Sequence, residues 1–506
     1  MTLGEILPHN RSAIDPVQLV LLCREVDIRH FGQEKVFSTL VDELKEIEES
    51  GITLNSGVTL QGAVIAIVGD NLGSHSIGGF TENFSRSKNF CRYCSIDRES
   101  FEREPTKLGP VRTKETYENC VEELSRGQEF MIEGVKFDSV FNKLKHFHVC
   151  QPGLPPCLGH DLFEGIVSND LALYIENLVS VGKHFSYTQL NRSISNLKLQ
   201  GSDASNRPCD VRPKGQKLGG SAAHNWCLLR LLPILIGDRI KNPLEDQVWL
   251  LCLKLREIVG LICAPKIHAN QVAYLNILIR EYLDSRVSLF PDKSAKPKHH
   301  YLLHYPDLIL KFGPLIRLWT LRFESKHTYF KQCARKLRNF KSLGSTLAER
   351  HQLLQAYLHS GNIFAPVLQI DQANAFDSQI YNAAIQQAVT CRGLTKDTTM
   401  ETASATYKGT TYKKGMTVVL NLNDSGYVLG KIALIIVKQE KVYFVSEKYQ
   451  SVPVLDLGVH CLQHSCETQY VCVGADSLAD YYPVPVYRRF DLDLAVLHHS
   501  VCLGHE

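Results

Sequence analysis

The chain has 506 residues, 56 Lys and Arg against 53 Asp and Glu, and a formal net charge of +3. That length holds two or three domains with a large core, and the ordinary apolar content is that of a globular protein. No apolar run reaches the ~18 residues of a membrane span, and Met1-Thr2-Leu3-Gly4-Glu5-Ile6-Leu7 lacks the marks of a secretory leader.

Residues 13–50 predict one or two helices: apolar positions in 17–23 and 36–47 recur at three and four residues, and Gly51 follows as a stop. Residues 60–69 read as a short buried strand that delivers Asp70 at its C-terminal end. Residues 81–150 alternate polar segments and give no clear element. From Asp161 to about residue 360 the pattern is helical. Within it 222–236, 248–262 and 272–282 are apolar enough to be buried, and loops at 201–220 and 291–297 separate them. Residues 370–405 read as a linker. Beyond it 416–420, 427–437, 442–446, 470–473 and 494–497 look like the strands of a small β-barrel or sandwich. The boundaries expected are 1–160, 161–295, 296–369, 370–405 and 406–506.

Asp70, the pair Cys91-x-x-Cys94, the pair His299-x4-His304 and Glu324 form one spaced set. Two acids suited to hard divalent cations frame four softer ligands suited to zinc. Each member also has a plainer reading. Asp70 can cap a turn with Asn71, Glu324 can pair with Arg322 or Lys326 at the surface, and Cys91 and Cys94 can be two buried thiols. His300, one residue off, and the group His146, His148 and Cys150 are rivals for the closing ligands. With no sign of secretion, the 16 cysteines are expected as thiols or metal ligands rather than as a disulfide framework.

Charge is unevenly spread. Between Lys296 and Lys341 there are 11 basic residues and two acids, Asp307 and Glu324. Arg317, Glu324, Lys331 and Arg338 are spaced by sevens, which keeps them near one side of a helix. A basic excess around a candidate carboxylate points to phosphate-backbone contact by Arg317, Arg322, Lys326, Lys331, Arg335 and Arg338, against the plainer reading of a solvated face.

Several segments, in order and spacing, resemble one known group. They are Leu7-Pro8-His9-Asn10-Arg11-Ser12, Gly69 to Gly73 with Gly78-Gly79-Phe80, Cys91-Arg92-Tyr93-Cys94, Pro155 to Gly165, Ser221 to Trp226, and Arg322 to His327. Together, over roughly residues 1–360, they resemble the CACTA (En/Spm-like) DNA transposases, relatives of the RNase H-like "DDE" enzymes and of the V(D)J recombinase core. The resemblance implies an α/β RNase H-like core interrupted by a large all-α insertion, followed here by a small C-terminal all-β domain. It implies metal-dependent DNA cleavage and strand transfer, with Asp70 and Glu324 as acids holding Mg or Mn. It also implies that His299 and His304 close a structural zinc site with Cys91 and Cys94. Cys157-x-x-His160 resembles the family's Cys/Asp-x-x-His motif, which puts His160 near the scissile phosphate; a helix-capping histidine is the alternative. Asp161 and Glu164 read as helix N-terminal charges, and Trp226 as a core residue rather than a base-stacking wedge. DNA, either transposon ends or chromatin, is the expected partner. The protein is expected in the nucleus, as a homodimer because relatives assemble paired ends.

The same resemblance calls for a third acid on a strand ahead of the segment matching Leu7 to Ser12. Glu5, Asp15, Glu25 and Asp27 are the earliest acids, and none ends a central strand in this reading. The core is therefore expected to be incomplete and catalysis to fail in this chain. A zinc-stabilised DNA-binding, chromatin-binding or scaffold protein is the alternative function.

Overall fold

Gly51, at φ +74°, ends the first long helix, Glu25–Glu49, in a left-handed conformation that favours glycine. The helix begins where Arg24 reaches forward to Asp27, with Nη2 2.7 Å from Oδ1. It is kinked at Gly32. The computed structural model describes all residues except 3, 5, 8, 9, 11, 12, 128, 339, 362, 395–398, 424, 425, 465, 466 and 503–506. Glu5, most of the segment 7–12 and the polar run 395–398 thus lie outside the described residues. Residues 17–23, expected as a helix, carry none. That run is apolar at nearly every position, follows Pro16, and has no polar face to give an amphipathic helix one side in water.

The strand expected at 60–69 is also different. Only Thr59–Leu60 pairs, antiparallel to Ile52–Thr53. Residues 61–70 continue without a sheet partner among the described residues. Strand identity is conferred by a neighbour's hydrogen bonds, which a local apolar run cannot provide. Val64 and Ile67 instead pack half-buried on a cluster around Phe80, Tyr117, Val135 and Phe141.

The chain forms a mixed α/β structure in two compact units. One comprises Met1–Ile166 with Val272–Phe364, and the other Val167–Gln271 with Ala365–Glu506. In the first, the helix Lys114–Arg126 starts on a capping box of Thr113 and Thr116 and buries Tyr117 and Cys120. The Tyr117 hydroxyl accepts from Ser139 N at 3.1 Å and lies 2.9 Å from the Gly78 carbonyl, tying two loops to this helix. Gly79 must be glycine here: its φ is +69°, and a Cβ would stand 2.1 Å from the Phe137 carbonyl oxygen. The later half supplies Pro297–Leu302, Tyr305–Phe312, Leu321–Leu337 and Leu343–Ser360, after the helix Ala269–Leu289.

The second unit joins a helical block to a large antiparallel sheet. Its helices include Ser168–Ser180, Tyr187–Asn196, Ala222–Ile236 and Gln247–Ile262, the last two as the apolar runs predict. The sheet runs Asp480–Val484, Thr417–Asn423, Gly426–Lys438, Lys441–Val454, Val459–Gln463, Leu492–Ala495, Val486–Arg489. Its central hairpin turns at Gln439 and Glu440, both at positive φ, as a tight two-residue hairpin loop requires.

Residues 370–405 are not a bare linker. Ala373–Ala375 pairs with Met400–Thr402, which in turn adds to the edge of Gly426–Lys438. The helix Ala383–Thr390, capped by Asn382, buries Ile385 and Val389 against Leu434, Ile436 and Val445. Helices and sheet in this unit share hydrogen bonds. Trp249 Nε1 donates to the Asp456 carbonyl at 2.8 Å, and Arg489 Nε to the Ile234 carbonyl at 3.1 Å. No helix among the described residues is long and apolar enough to cross a membrane.

Candidate metal centre and adjoining carboxylates

Cys91 and Cys94 lie on a loop held by backbone bonds to a neighbouring segment. Ser95 N donates to the Pro110 carbonyl at 2.9 Å, and Arg112 N to the Tyr93 carbonyl at 2.9 Å. Tyr93 N points at Cys91 Sγ, 3.3 Å away. Facing this loop is the helix Pro297–Leu302, whose first turn is set by Pro297. Helical dihedrals persist at Leu303 and His304, so His300 and His304 project on one side.

The ligand atoms of Cys91, Cys94, His300 and His304 all lie within 4.8 Å of one another and all four residues are buried. Cys91 Sγ is 3.5 Å from His304 Nε2, Cys94 Sγ 3.2 Å from His300 Nε2, and the two imidazole nitrogens are 3.2 Å apart. His300 therefore replaces His299 in the expected ligand set. Residues four apart on an α-helix differ by ~40° in direction, whereas five apart differ by ~140°. His299 turns the other way, and its Nδ1 accepts from Lys296 N at 2.9 Å. The rival group stays elsewhere: His148 Nδ1 accepts from Cys150 N at 3.1 Å, beneath the Tyr117 ring.

Two thiols and two imidazoles in a dry tetrad are a donor set that fits zinc. Sharing a hydrogen bond with Cys91 holds Cys94 far below the ordinary thiol range, against burial, while His300 and His304 add to the effect. Burial pushes Cys91 well up. It also lowers His304, leaving the neutral imidazole that ligation needs.

Asp70 is exposed and caps the helix Asn71–Ile77, accepting from Gly73 N at 2.6 Å. Glu324 stands half-exposed in the first turn of Leu321–Leu337, with Oε1 3.9 Å from His160 Nδ1. His160 is the second residue of a wide π-helical segment, Gly159–Val167. Its Nδ1 is 3.1 Å from Cys157 Sγ, which also meets Thr320 Oγ1 at 3.1 Å. The Cys157 hydrogen bond raises His160 to about 9, against partial burial, and the charges of Glu324 and Glu164 act the same way. His160 and Glu324 are thus brought together.

Asp161 stands in the first turn of that π-helical segment, where the sequence places a helix N-terminal charge. It is fully buried, and its Oδ1 accepts from Asn71 Nδ2. Burial raises its pKa, opposed by the Arg92 charge and the Asn71 hydrogen bond. Arg92, between the two metal cysteines, donates to Asn71 Oδ1 at 2.8 Å and lies over the rings of Tyr93 and Tyr301. Sequence reasoning gave Arg92 no role and Asn71 only a turn beside Asp70, although both stand inside quoted motifs.

The basic residues divide. Lys331, Arg335 and Arg338 are exposed. Lys326 is buried, with Nζ 3.3 Å from the Ile14 carbonyl, and is withdrawn from any surface. Arg317 lies in a separate 3-10 turn, Leu315–Leu318, and Arg338 ends the helix at φ +51°. The four residues spaced by sevens therefore share no single helical face. Arg322 is half-buried over the Phe323 ring. Trp226 is half-buried in Ala222–Ile236, with the Arg230 guanidinium 5.6 Å from its ring centroid. The chain matches no family model and no curated protein.

Proposed function

We propose that the protein is derived from RNase H-like DNA transposases of the CACTA type. A zinc-stapled core would hold Asp70, His160 and Glu324 toward DNA. The observation that carries this reading is the convergence of Cys91 and Cys94 with His304 and His300, which lie 213 and 206 residues further along the chain. The contact of His160 with Glu324 supports it. Zinc at the tetrad would be structural. Mg or Mn at the carboxylates would activate the attacking oxygen and stabilise the leaving one. In that role Asp70 and Glu324 would be ligands, and His160 would orient a phosphate oxygen or water. Two carboxylates hold a catalytic metal pair poorly, so cleavage on this reading needs a third.

A protein in which a third acid joins Asp70 and Glu324 should show divalent-metal-dependent DNA cleavage that is lost in Asp70→Ala and Glu324→Ala. Such a protein binding metal at these residues and never cutting DNA ends would sink the reading. A second reading, a non-catalytic nuclear DNA- or chromatin-binding protein, draws on the exposed Lys331, Arg335 and Arg338. Homodimerisation on paired DNA ends belongs to the first reading.

A further inference from the structure

We propose that Asp161 is a positioning residue that couples the Cys91/Cys94/His300/His304 metal centre to the segments carrying Asp70 and His160. The inference deepens the transposase reading, because it says what the zinc would do for the carboxylate site. Its physical content, however, is independent of that chemistry.

The argument begins at Arg92. Its guanidinium is held from both halves of the metal centre: 4.5 Å from the Tyr93 ring centroid on the cysteine loop and 5.3 Å from that of Tyr301, next to His300. It is 2% exposed. From there Nη1 donates to Asn71 Oδ1 at 2.8 Å and Nη2 to the Pro155 carbonyl at 3.4 Å. Asn71 passes its own amide hydrogen to Asp161 Oδ1. Asn71 is the first residue of the helix that Asp70 caps. Asp161 follows His160, and its backbone N donates to the Cys157 carbonyl at 2.8 Å.

A buried carboxylate is costly unless charge and hydrogen bonds compensate it. Here the compensation comes from Arg92 and Asn71, and Asp161 Oδ2 has no further hydrogen-bond partner among the described residues. Asp161 therefore depends on Arg92 staying in place, and Arg92 depends on the two metal-bearing segments staying together. A second tie runs parallel: Lys298 Nζ, from the histidine helix, donates to the His160 carbonyl at 2.6 Å. Metal loss should thus loosen the Asp70 segment through the Arg92 network and the His160 segment through both ties.

Hydrogen–deuterium exchange with mass spectrometry, paired with zinc content, tests this on the whole protein. In the zinc-loaded wild type, peptides covering 70–78 and 157–166 should be protected. Chelation should speed exchange in both by roughly tenfold or more, the weight of one charge-assisted hydrogen bond. Asp161→Asn should keep its zinc and, by removing the counter-charge of Arg92, show faster exchange in both peptides while loaded. Its chelation response should be smaller than the wild type's, because the Arg92–Asn71 and Lys298–His160 bonds keep part of the coupling. Exchange in the Leu343–Ser360 helix of the same unit should not change, which separates positioning from general unfolding. Should Asp161→Asn fail to fold, Asn71→Ala serves: it should free 70–78 from the metal while 157–166 stays coupled. Wild-type protection in zinc-loaded Asp161→Asn would overturn the inference. So would a chelated wild type with both peptides unaffected. Neither outcome depends on DNA cleavage, so a failed transposase reading would leave a separate signature.

Discussion

The Nε2 atoms of His300 and His304 lie 3.2 Å apart, too close for two imidazolium ions and well placed for two ligands of one cation. That distance decides which histidine belongs to the centre. Cys94→Ser and His300→Ala should lose bound zinc, and His299→Ala should keep it. The thiolate-to-metal absorption of a cobalt-substituted protein reads the difference. Cobalt uptake surviving in His300→Ala and lost in His299→Ala would restore the x4 pair.

His299 still has a task, so its variant should not be silent. Its Nδ1 caps the backbone at Lys296, and losing a cap costs ~1 kcal/mol. The expected result is a modest fall in stability with metal content intact, read as a lower denaturant midpoint at unchanged zinc stoichiometry.

How much of this could be read from residues alone follows from how local each signal is. The helices Ala222–Ile236 and Gln247–Ile262 were legible, because periodicity and caps lie within the segment, as with Asp246 accepting from Trp249 N. The choice between His299 and His300 turned on whether the segment is helical, which six residues around a proline hardly announce. Residues 61–69 look like a strand in isolation, and only the absence of a partner among the described residues says otherwise. The segment 370–405 failed for the opposite reason: Met400–Thr402 becomes a strand through residues 435–437, far along the chain. Asp161 is the helix N-terminal acid expected, but its burial was not legible because its counter-charge, Arg92, stands 69 positions earlier in the chain.

DNA affinity gives a third prediction. If Lys331, Arg335 and Arg338 meet phosphates, neutralising all three should weaken binding at every sequence and reduce the salt slope by about 2–3. Lys326→Ala, by contrast, should leave the slope alone, since that amine is buried against the Ile14 carbonyl. Fluorescence anisotropy across a salt series measures both. An unchanged slope in the triple variant would remove this surface from consideration.

The Cys157–His160 contact predicts a titration. Hydrogen bonding to Cys157 raises His160 to about 9. Its folded-state pKa thus lies above the unfolded ~6.5. Any stability it contributes is complete below ~6.5 and disappears as pH rises through about 9. In Cys157→Ser the His160 ring resonances should titrate nearer the ordinary range. A wild-type midpoint near 6.5 by NMR would mean that the Cys157 contact does not hold the proton.

Acid should act on the other unit, and with the opposite sign. Burial lowers His498 to about 3 and His460 to about 4, with the Arg230 and Arg256 charges respectively adding to it. His498 sits 3.7 Å from Asp203 Oδ1 and 2.9 Å from Ser202 Oγ, against the rings of Trp226 and Tyr482. Both histidines are folded neutral, so the unfolded chain binds more protons between ~6.5 and these values. Stability is therefore complete above ~6.5 and falls as pH drops towards these values. Asp203, held down by Arg230 against its burial, adds a loss of the same sign at lower pH. Of the three tryptophans, Trp226 and Trp249 lie in this unit, so Trp319→Phe gives a fluorescence signal confined to it. The denaturant midpoint of that protein should fall from pH 7 to pH 4, and His498→Asn should flatten the fall. An equal fall in His498→Asn would assign the acid sensitivity to His460 and Asp203 instead.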